Sequence, residues 1–250
     1  MVTYNSAGRL GNVFFEVCTM LAYALKNGIE FHVPNKTHDP FWQPIYFTHL
    51  SNSNWNPNKE TIRLWENGHE YQELPFEESW RDKNIIIEGY RQSAKYFDEY
   101  RSEILYLLDL KWEQRDYVSL HIRRGDYVYL VDKHPPFSLE YFKMVTSKFY
   151  NMGYDKFRVF SDDIPFCREV FKDPHFSEFK MEYSANSNEL DDLIDGSCGV
   201  HQAGMSSTFF WAMAWLNQNK NKIVYFPKLW FCEGYHLKTD DIVPEYFNKV

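Results

Sequence analysis

Apolar residues recur at helical spacing in VFFEVCTMLAYALK, residues 13–26, and the run stops at Asn27-Gly28. This spacing predicts a helix closed by a glycine. Gly8-Arg9-Leu10-Gly11-Asn12 before it is a glycine-punctuated turn, and Phe31-His32-Val33 after it reads as a strand ended by Pro34. Residues 2–4 are too short to predict a strand by themselves, but a strand, turn, helix and strand in this order would open a βαβ unit. Residues 34–82 are rich in Asn, Pro, Trp and Glu with poor periodicity, which predicts irregular structure with short elements. Ile85 to Tyr90 then predicts a buried strand running into a turn, and Ala94 to Leu108 a helix.

The second half repeats the alternation. Tyr117-Val118-Ser119-Leu120 is strand-like, Leu139 to Asn151 helical, Phe157 to Phe160 a strand ending in Ser161-Asp162-Asp163, and Ile164 to Phe171 helical. Asn188 caps a helix beginning there, Ser206-Ser207-Thr208 precedes the apolar helix FFWAMAWLN, and Lys222 to Phe226 is a strand stopped by Pro227. Strands separated by helix-length segments predict parallel sheets, so the expected fold class is α/β, as two halves facing a cleft. The charged stretch Asp109 to Asp116 places the expected boundary between residues 1–112 and 113–250. The last ~20 residues are expected to pack back on the first half.

Charge chemistry concentrates in HIRRGDY, residues 121–127, where an apolar strand stops abruptly in a tight turn. Ligands of open α/β sheets bind at the carboxyl ends of strands. Arginine offers a planar fork of donors that pairs bidentately with phosphate or carboxylate, so Arg123 and Arg124 point to a doubly anionic target such as a pyrophosphate. Neighbouring strand side chains face opposite ways, so only one of the two aims straight at it. His121 shares the face of Arg123, and Asp126 would fix a guanidinium rotamer. The same seven residues would also serve as a surface turn with a solvated Arg–Asp pair. At the glycine turn, Gly11 and Asn12 stand where free helix-start amides suit an anion or a sugar hydroxyl, although plain chain reversal would need the same residues.

Composition narrows the function classes. The formal charge of −8 over 250 residues argues against nucleic-acid binding through a broad basic surface, so any anion site is local. Aromatic residues make up 19% of the chain, which fits stacking on sugar faces. Cys18, Cys167, Cys198 and Cys232 show no zinc spacing, and a reduced, cytoplasmic chain is expected. Neither a signal peptide nor a membrane span is expected from the apolar pattern, and no basic amphipathic helix argues for peripheral attachment. Asp162-Asp163 alone offers too few converging oxygens for a hard cation, so no metal is expected.

Five segments, GRLGN at 8–12, EGYRQSAKYF at 88–97, SLHIRRGDY at 119–127, VFSDDIPFC at 159–167 and SSTFFWAMAWLN at 206–217, resemble in order and spacing the α-1,2-fucosyltransferases of glycosyltransferase family 11. The resemblance implies a GT-B-like pair of Rossmann-type halves, the N-terminal one on the acceptor side and the C-terminal one holding GDP-fucose. It implies an inverting enzyme that moves L-fucose from GDP-β-L-fucose to a sugar hydroxyl, the 2-OH of a galactose-terminated glycan, with no cofactor or metal. Arg123 and Arg124 match the family's arginine pair, one of which contacts the donor pyrophosphate; His121 matches a histidine near phosphate or guanine, and Asp126 an orienting carboxylate. Ser206, Ser207 and Thr208 match a turn whose hydroxyls and helix-start amides complete the phosphate cradle. Asp191 or Asp192 stands at the right separation to accept from the guanine N1–H and amino group.

Inverting displacement needs an acceptor for the hydroxyl proton. Glu16, close to GRLGN, is the candidate base, with a solvated helix face as its other reading and the leaving phosphate as the other proton acceptor. The chain departs from the family in Val13-Phe14 where Gln-Met is usual, in Ser206-Ser207-Thr208 where Asn-Ser-Ser is usual, and in the weak apolar character of His201 to Met205. These departures leave acceptor and linkage open. A GDP-sugar-binding or lectin-like protein without turnover is the alternative from another class.

Overall fold

Residues Leu10–Asn27 form the first helix, α1, which is buried on nearly every face from Leu10 to Ala24. A helix apolar all round belongs inside a domain. It ends at Gly28, whose φ of 59° is the left-handed cap that glycine adopts without strain. The helix starts earlier than its apolar spacing predicts, because Leu10, Gly11 and Asn12 of the glycine turn form its first turn. A computed structural model describes residues 1–5, 7–34, 46–50 and 55–250. They divide into two units, Met1–Leu110 with Leu237–Pro244, and Lys111–His236 with Glu245–Val250.

In the first unit, β1 (Val2–Tyr4), β2 (Thr61–Leu64) and β3 (Asn84–Ile87) form a parallel sheet in the order β1-β3-β2. The strand expected at 31–33 is reduced to one bridge between Phe31 and Val2, since Pro34 lacks the N–H that would extend the ladder. β2 lies in the stretch expected to be irregular; it is a largely exposed edge strand, so burial left little alternation in its sequence. Residues 35–45 and 51–54 of that stretch lie outside the described residues. The helix expected from Ala94 to Leu108 breaks at Phe97 into two 3-10 turns, Ala94–Tyr96 and Asp98–Tyr100, followed by α2 (Arg101–Leu108). The returning segment is tied in by Asp241, which accepts from Tyr71 N at 2.9 Å and pairs with Lys95.

The second unit carries six parallel strands in the order β6-β5-β4-β7-β8-β9: β4 Val118–Ile122, β5 Lys156–Ser161, β6 Lys180–Tyr183, β7 His201–Gly204, β8 Val224–Phe226 and β9 Asn248–Lys249. Helices α3 (Leu139–Tyr150), α4 (Ile164–Val170), α5 (Glu189–Ser197) and α6 (Thr208–Leu216) connect them. Val118, Leu120 and Ile122 belong to an apolar cluster with Phe142, Val145 and Phe149 of α3. The opposite face of β4 meets α5 and α6: Ser119 Oγ donates to Gly196 O of α5 at 2.7 Å, and the His121 ring lies against Phe209 and Phe210 of α6.

β7 is a central, wholly buried strand despite its polar sequence. Gln202 Nε2 donates to Gly196 O at 2.9 Å and to Met213 O at 3.1 Å, and His201 Nδ1 accepts from Ile223 N at 3.0 Å. These bonds offset the cost of burying polar groups that would otherwise keep such a segment out of a sheet centre.

Candidate active site

From β4 the chain moves outward to β5 and then β6, and it returns across the sheet to β7 on the other side of β4. The carboxyl ends of β4 and β7 therefore flank the point where strand order reverses, the position at which open α/β sheets bind ligands. β4 delivers Arg123 and Arg124 there, its neighbour β5 delivers Asp162 and Asp163, and β7 delivers Ser206 and Ser207.

The two arginines, adjacent residues just past β4, diverge. Arg123 pairs with Asp126 at 2.5 Å and with Asp162 at 2.7 Å, and its side chain is 14% exposed. Arg124 lies 3.8 Å from the centre of the Phe166 ring and 3.6 Å from Asp163. Asp162 also accepts from the backbone N–H of Arg124 at 2.8 Å, so one carboxylate fixes both the turn and the Arg123 fork. Gly125 makes this approach feasible: a Cβ there would stand 2.4 Å from Asp162 Oδ2. Asp163 turns away to cap α4, accepting from Phe166 N at 3.1 Å. The pair weighed in the sequence as cation ligands thus divides between orienting an arginine and starting a helix.

His121 is 4% exposed and stacked on α6, and burial, then the charge of Arg123, push its pKa down to about 3. It is a neutral ring beneath the turn, and its Nδ1 and the Arg124 Nε are buried atoms without a hydrogen-bond partner among the described residues. Buried polar atoms are normally satisfied, so these two, one on each side of β4, are places where a ligand or water completes the bonding.

Ser206 donates its hydroxyl to Leu229 O at 2.7 Å, and Ser207 Oγ caps α6 by accepting from Phe209 N at 3.3 Å. Thr208 opens α6. Of the expected cradle, the Ser206 hydroxyl is thereby committed inward, and what stays available to an anion is the Ser207 hydroxyl proton and the amides of the first turn of α6.

Asp191 and Asp192 stand in the first turn of α5, after β6 of the same sheet. Asp192 is held by Ser184 Oγ and by Asn186 Nδ2 at 3.0 Å, and burial raises its pKa. Asp191 is exposed, takes the Asn188 amide at 2.7 Å, and lines an open hollow of 390 Å³ with Trp112, Arg115, Asn186 and Asp195.

The remaining expected residues belong to the first unit. Gly11 is buried within α1, and Asn12 Oδ1 accepts from Gln92 Nε2 at 3.0 Å, linking the glycine turn to the segment after β3. Glu16 is 1% exposed, with both carboxylate oxygens 3.3 Å from Ala7 N. It braces the turn from inside, which corrects the reading of Glu16 as part of a solvated helix face. Burial, reinforced by the Glu66 and Glu88 carboxylates, pushes its pKa well above the ordinary range against the opposing pull of the Ala7 N–H.

A stability prediction follows from this raised value. Above the ordinary glutamate value of 4.5 the unfolded chain has lost a proton that the native state retains, so Glu16 lowers stability as pH rises through that window. Glu16→Gln is expected to melt with the wild type below about pH 4.5 and increasingly above it toward pH 8, with transfer activity retained. Thermal melts and initial rates across that range check it. Loss of activity in a folded E16Q protein would restore Glu16 as the base.

Sequence reasoning missed Asp162 as the orienting group of Arg123. The available signal was its place just past β5, in a sheet where parallel pairing sets Ile122 beside Ser161.

The family profile described as "Glycosyl transferase family 11" matches residues 1–245. The chain is 28% identical over 168 residues to the O-antigen biosynthesis glycosyltransferase WbnK of Escherichia coli, covering 57% of this chain and 54% of that protein. It is 30% identical over 181 residues to an alpha-1,2-colitosyltransferase of Escherichia coli, covering 63% and 59%. It is 29% identical over 159 residues to galactoside alpha-(1,2)-fucosyltransferase 2 of Hylobates lar, covering 53% and 43%. The chain thus spans roughly half the length of these curated relatives. Among solved structures, POFUT1 in complex with GDP matches with a TM-score of 0.54 at 14% identity, covering 90% of this chain and 97% of that one. POFUT1 in complex with GDP-fucose matches at 0.53 and 14%, with the same coverage. These likenesses show the fold, which is α/β and GT-B-like.

Proposed function

Because the chain belongs to glycosyl transferase family 11, we propose that it is an inverting fucosyltransferase that moves L-fucose from GDP-β-L-fucose to a sugar hydroxyl, the 2-OH of a galactoside. The observation that carries this reading is the meeting of Arg123, Arg124 and the start of α6 at the strand-order reversal of the second unit, where a nucleotide diphosphate is expected. The second unit is assigned the donor and the first the acceptor.

In the reaction the acceptor oxygen bonds to the anomeric carbon, the bond from that carbon to the β-phosphate oxygen breaks, and GDP departs with the electron pair. Inversion puts the acceptor hydroxyl and the leaving phosphate on opposite faces of the sugar, so along an oxocarbenium-like path the hydroxyl proton reaches the departed phosphate through water, Glu16 being enclosed. Negative charge grows on the diphosphate as the bond lengthens, and preorganised guanidinium and amide donors stabilise that charge more than the ground state. Arg123, locked by two carboxylates, is the residue assigned to the β-phosphate. Asp191, which lines a hollow, suits guanine better than Asp192, whose Oδ1 already accepts from Ser184 and Asn186. No cofactor enters this scheme. Among the described residues no helix is long and apolar enough to cross a membrane. The four cysteines are free, which fits a reducing, cytoplasmic setting.

The name of the second relative favours one further reading, transfer of colitose by the same machinery. Incubation with GDP-fucose and lactose or N-acetyllactosamine is expected to release GDP and to add one deoxyhexose to the terminal galactose. Product from a GDP-colitose donor alone would move the assignment to colitose, and GDP binding without product on a broad acceptor panel would favour a protein without turnover.

A further inference from the structure

One hydroxyl joins the two banks of the strand-order reversal. Tyr127 closes the HIRRGDY turn, and its phenol donates to the carbonyl oxygen of Ser206 at 3.0 Å. The Arg123 guanidinium lies 5.6 Å from the centre of the same ring. On that ring stacks the imidazole of His134, with centroids 3.9 Å apart and planes 10° from parallel. The Phe231 ring lies 5.2 Å from His134, centre to centre, and is tilted to it by 55°.

The surrounding bonds close this arrangement into a loop of chain. Cys232 N donates to Lys133 O at 2.9 Å, Cys232 Sγ to Val131 O at 3.2 Å, and Ser206 Oγ to Leu229 O at 2.7 Å. The segment after the arginines, the serine turn and residues 229–232 therefore hold one another, and the Tyr127 hydroxyl is the link between the first two.

Resting on the fucosyltransferase reading, the geometry points to Tyr127 as a positioning residue that sets Arg123 and the Ser206-Ser207 turn at a fixed separation for the departing diphosphate, with His134 as the ring that holds the phenol in place. Packing alone does not account for this constellation. The half-buried Tyr127 ring would fill its space equally well as phenylalanine, and His134 keeps a buried Nδ1 that has no hydrogen-bond partner among the described residues, where phenylalanine would leave none. Burial, followed by the neighbouring Lys133, keeps His134 neutral with a pKa near 4, so it adds no second positive charge beside Arg123. Positional errors of the order of an ångström at a reacting centre cost up to about 100-fold in rate, which is the scale on which such a link acts.

Tyr127→Phe removes one oxygen and leaves the stack. It is expected to lower kcat about tenfold with little change in the KM for GDP-fucose, because the link matters most where charge develops. Ser206→Ala loosens the same turn from its other side, so the Y127F and S206A losses are expected to combine to less than their product. His134→Ala is expected to reproduce the Y127F loss and His134→Phe to restore most of the rate, which gives a second arm if Y127F folds poorly. Rates in Y127F and H134A equal to wild type, or losses of Y127F and S206A that multiply independently, would overturn the positioning role while wild-type transfer stands. A wild-type protein that neither binds GDP nor transfers would overturn the site reading, and this inference with it.

Discussion

Arg123→Ala is expected to lower kcat/KM for GDP-fucose by at least about 100-fold, the loss found when one preorganised donor is removed from a developing negative charge. The fold should persist. The side chain sits past the carboxyl end of β4, and its partners Asp126 and Asp162 keep 51% and 26% of their side-chain surface, so water reaches the carboxylates that the substitution leaves behind. Loss of charge is only part of the effect. The two carboxylates that orient the guanidinium in the wild type would, without it, face the phosphates and repel them. Arg123→Lys separates these contributions: the ammonium restores a positive charge but not the fork, so an intermediate rate is expected. Initial rates of GDP release alongside a thermal melt measure both properties, and wild-type rates in the alanine variant would remove Arg123 from the reaction.

Gly125→Ala is expected to be nearly as damaging through a single methyl group. The added Cβ would stand 2.4 Å from Asp162 Oδ2 and 3.6 Å from Arg123 Cζ. Asp162 would have to swing away, giving up the Arg124 N–H at 2.8 Å and the Arg123 pair at 2.7 Å. A displaced guanidinium costs about 10–100-fold in kcat/KM on the scale of misplaced catalytic groups. Asp162→Asn is the companion variant, since the amide oxygen still accepts from Arg124 N while the negative charge that pairs with Arg123 is lost; it should fall between wild type and G125A. A fully active G125A protein would show that Asp162 does not orient the arginine.

The parts of the site that were legible in the sequence are those whose chemistry is local. HIRRGDY announces itself because two arginines and an aspartate follow an apolar strand within seven residues, and α1 and α6 are recognisable because their apolar runs are long. Contacts made by sheet pairing were harder to read. Asp162 is 39 residues from Arg123 along the chain and meets it only because β4 and β5 pair in register, so no local pattern assigns it. β7 was obscured for a related reason: its Gln202 amide and His201 Nδ1 bond to Gly196, Met213 and Ile223, groups from other parts of the chain. Glu16 shows the opposite error. A charged residue in an acidic chain reads as part of a solvated face, whereas here a backbone N–H and near-complete burial hold it inside.

The central claim is that Arg123 clamps a diphosphate at the reversal of strand order in the second unit. Calorimetric titration of the wild type and the R123A variant with GDP and with GMP tests it most directly, because the two ligands share the base and ribose and differ in the phosphate that the arginine is assigned to hold. GDP should bind the wild type far more tightly than GMP, and that preference should collapse in R123A while GMP affinity changes little. An equal preference for GDP in both proteins would contradict the clamp.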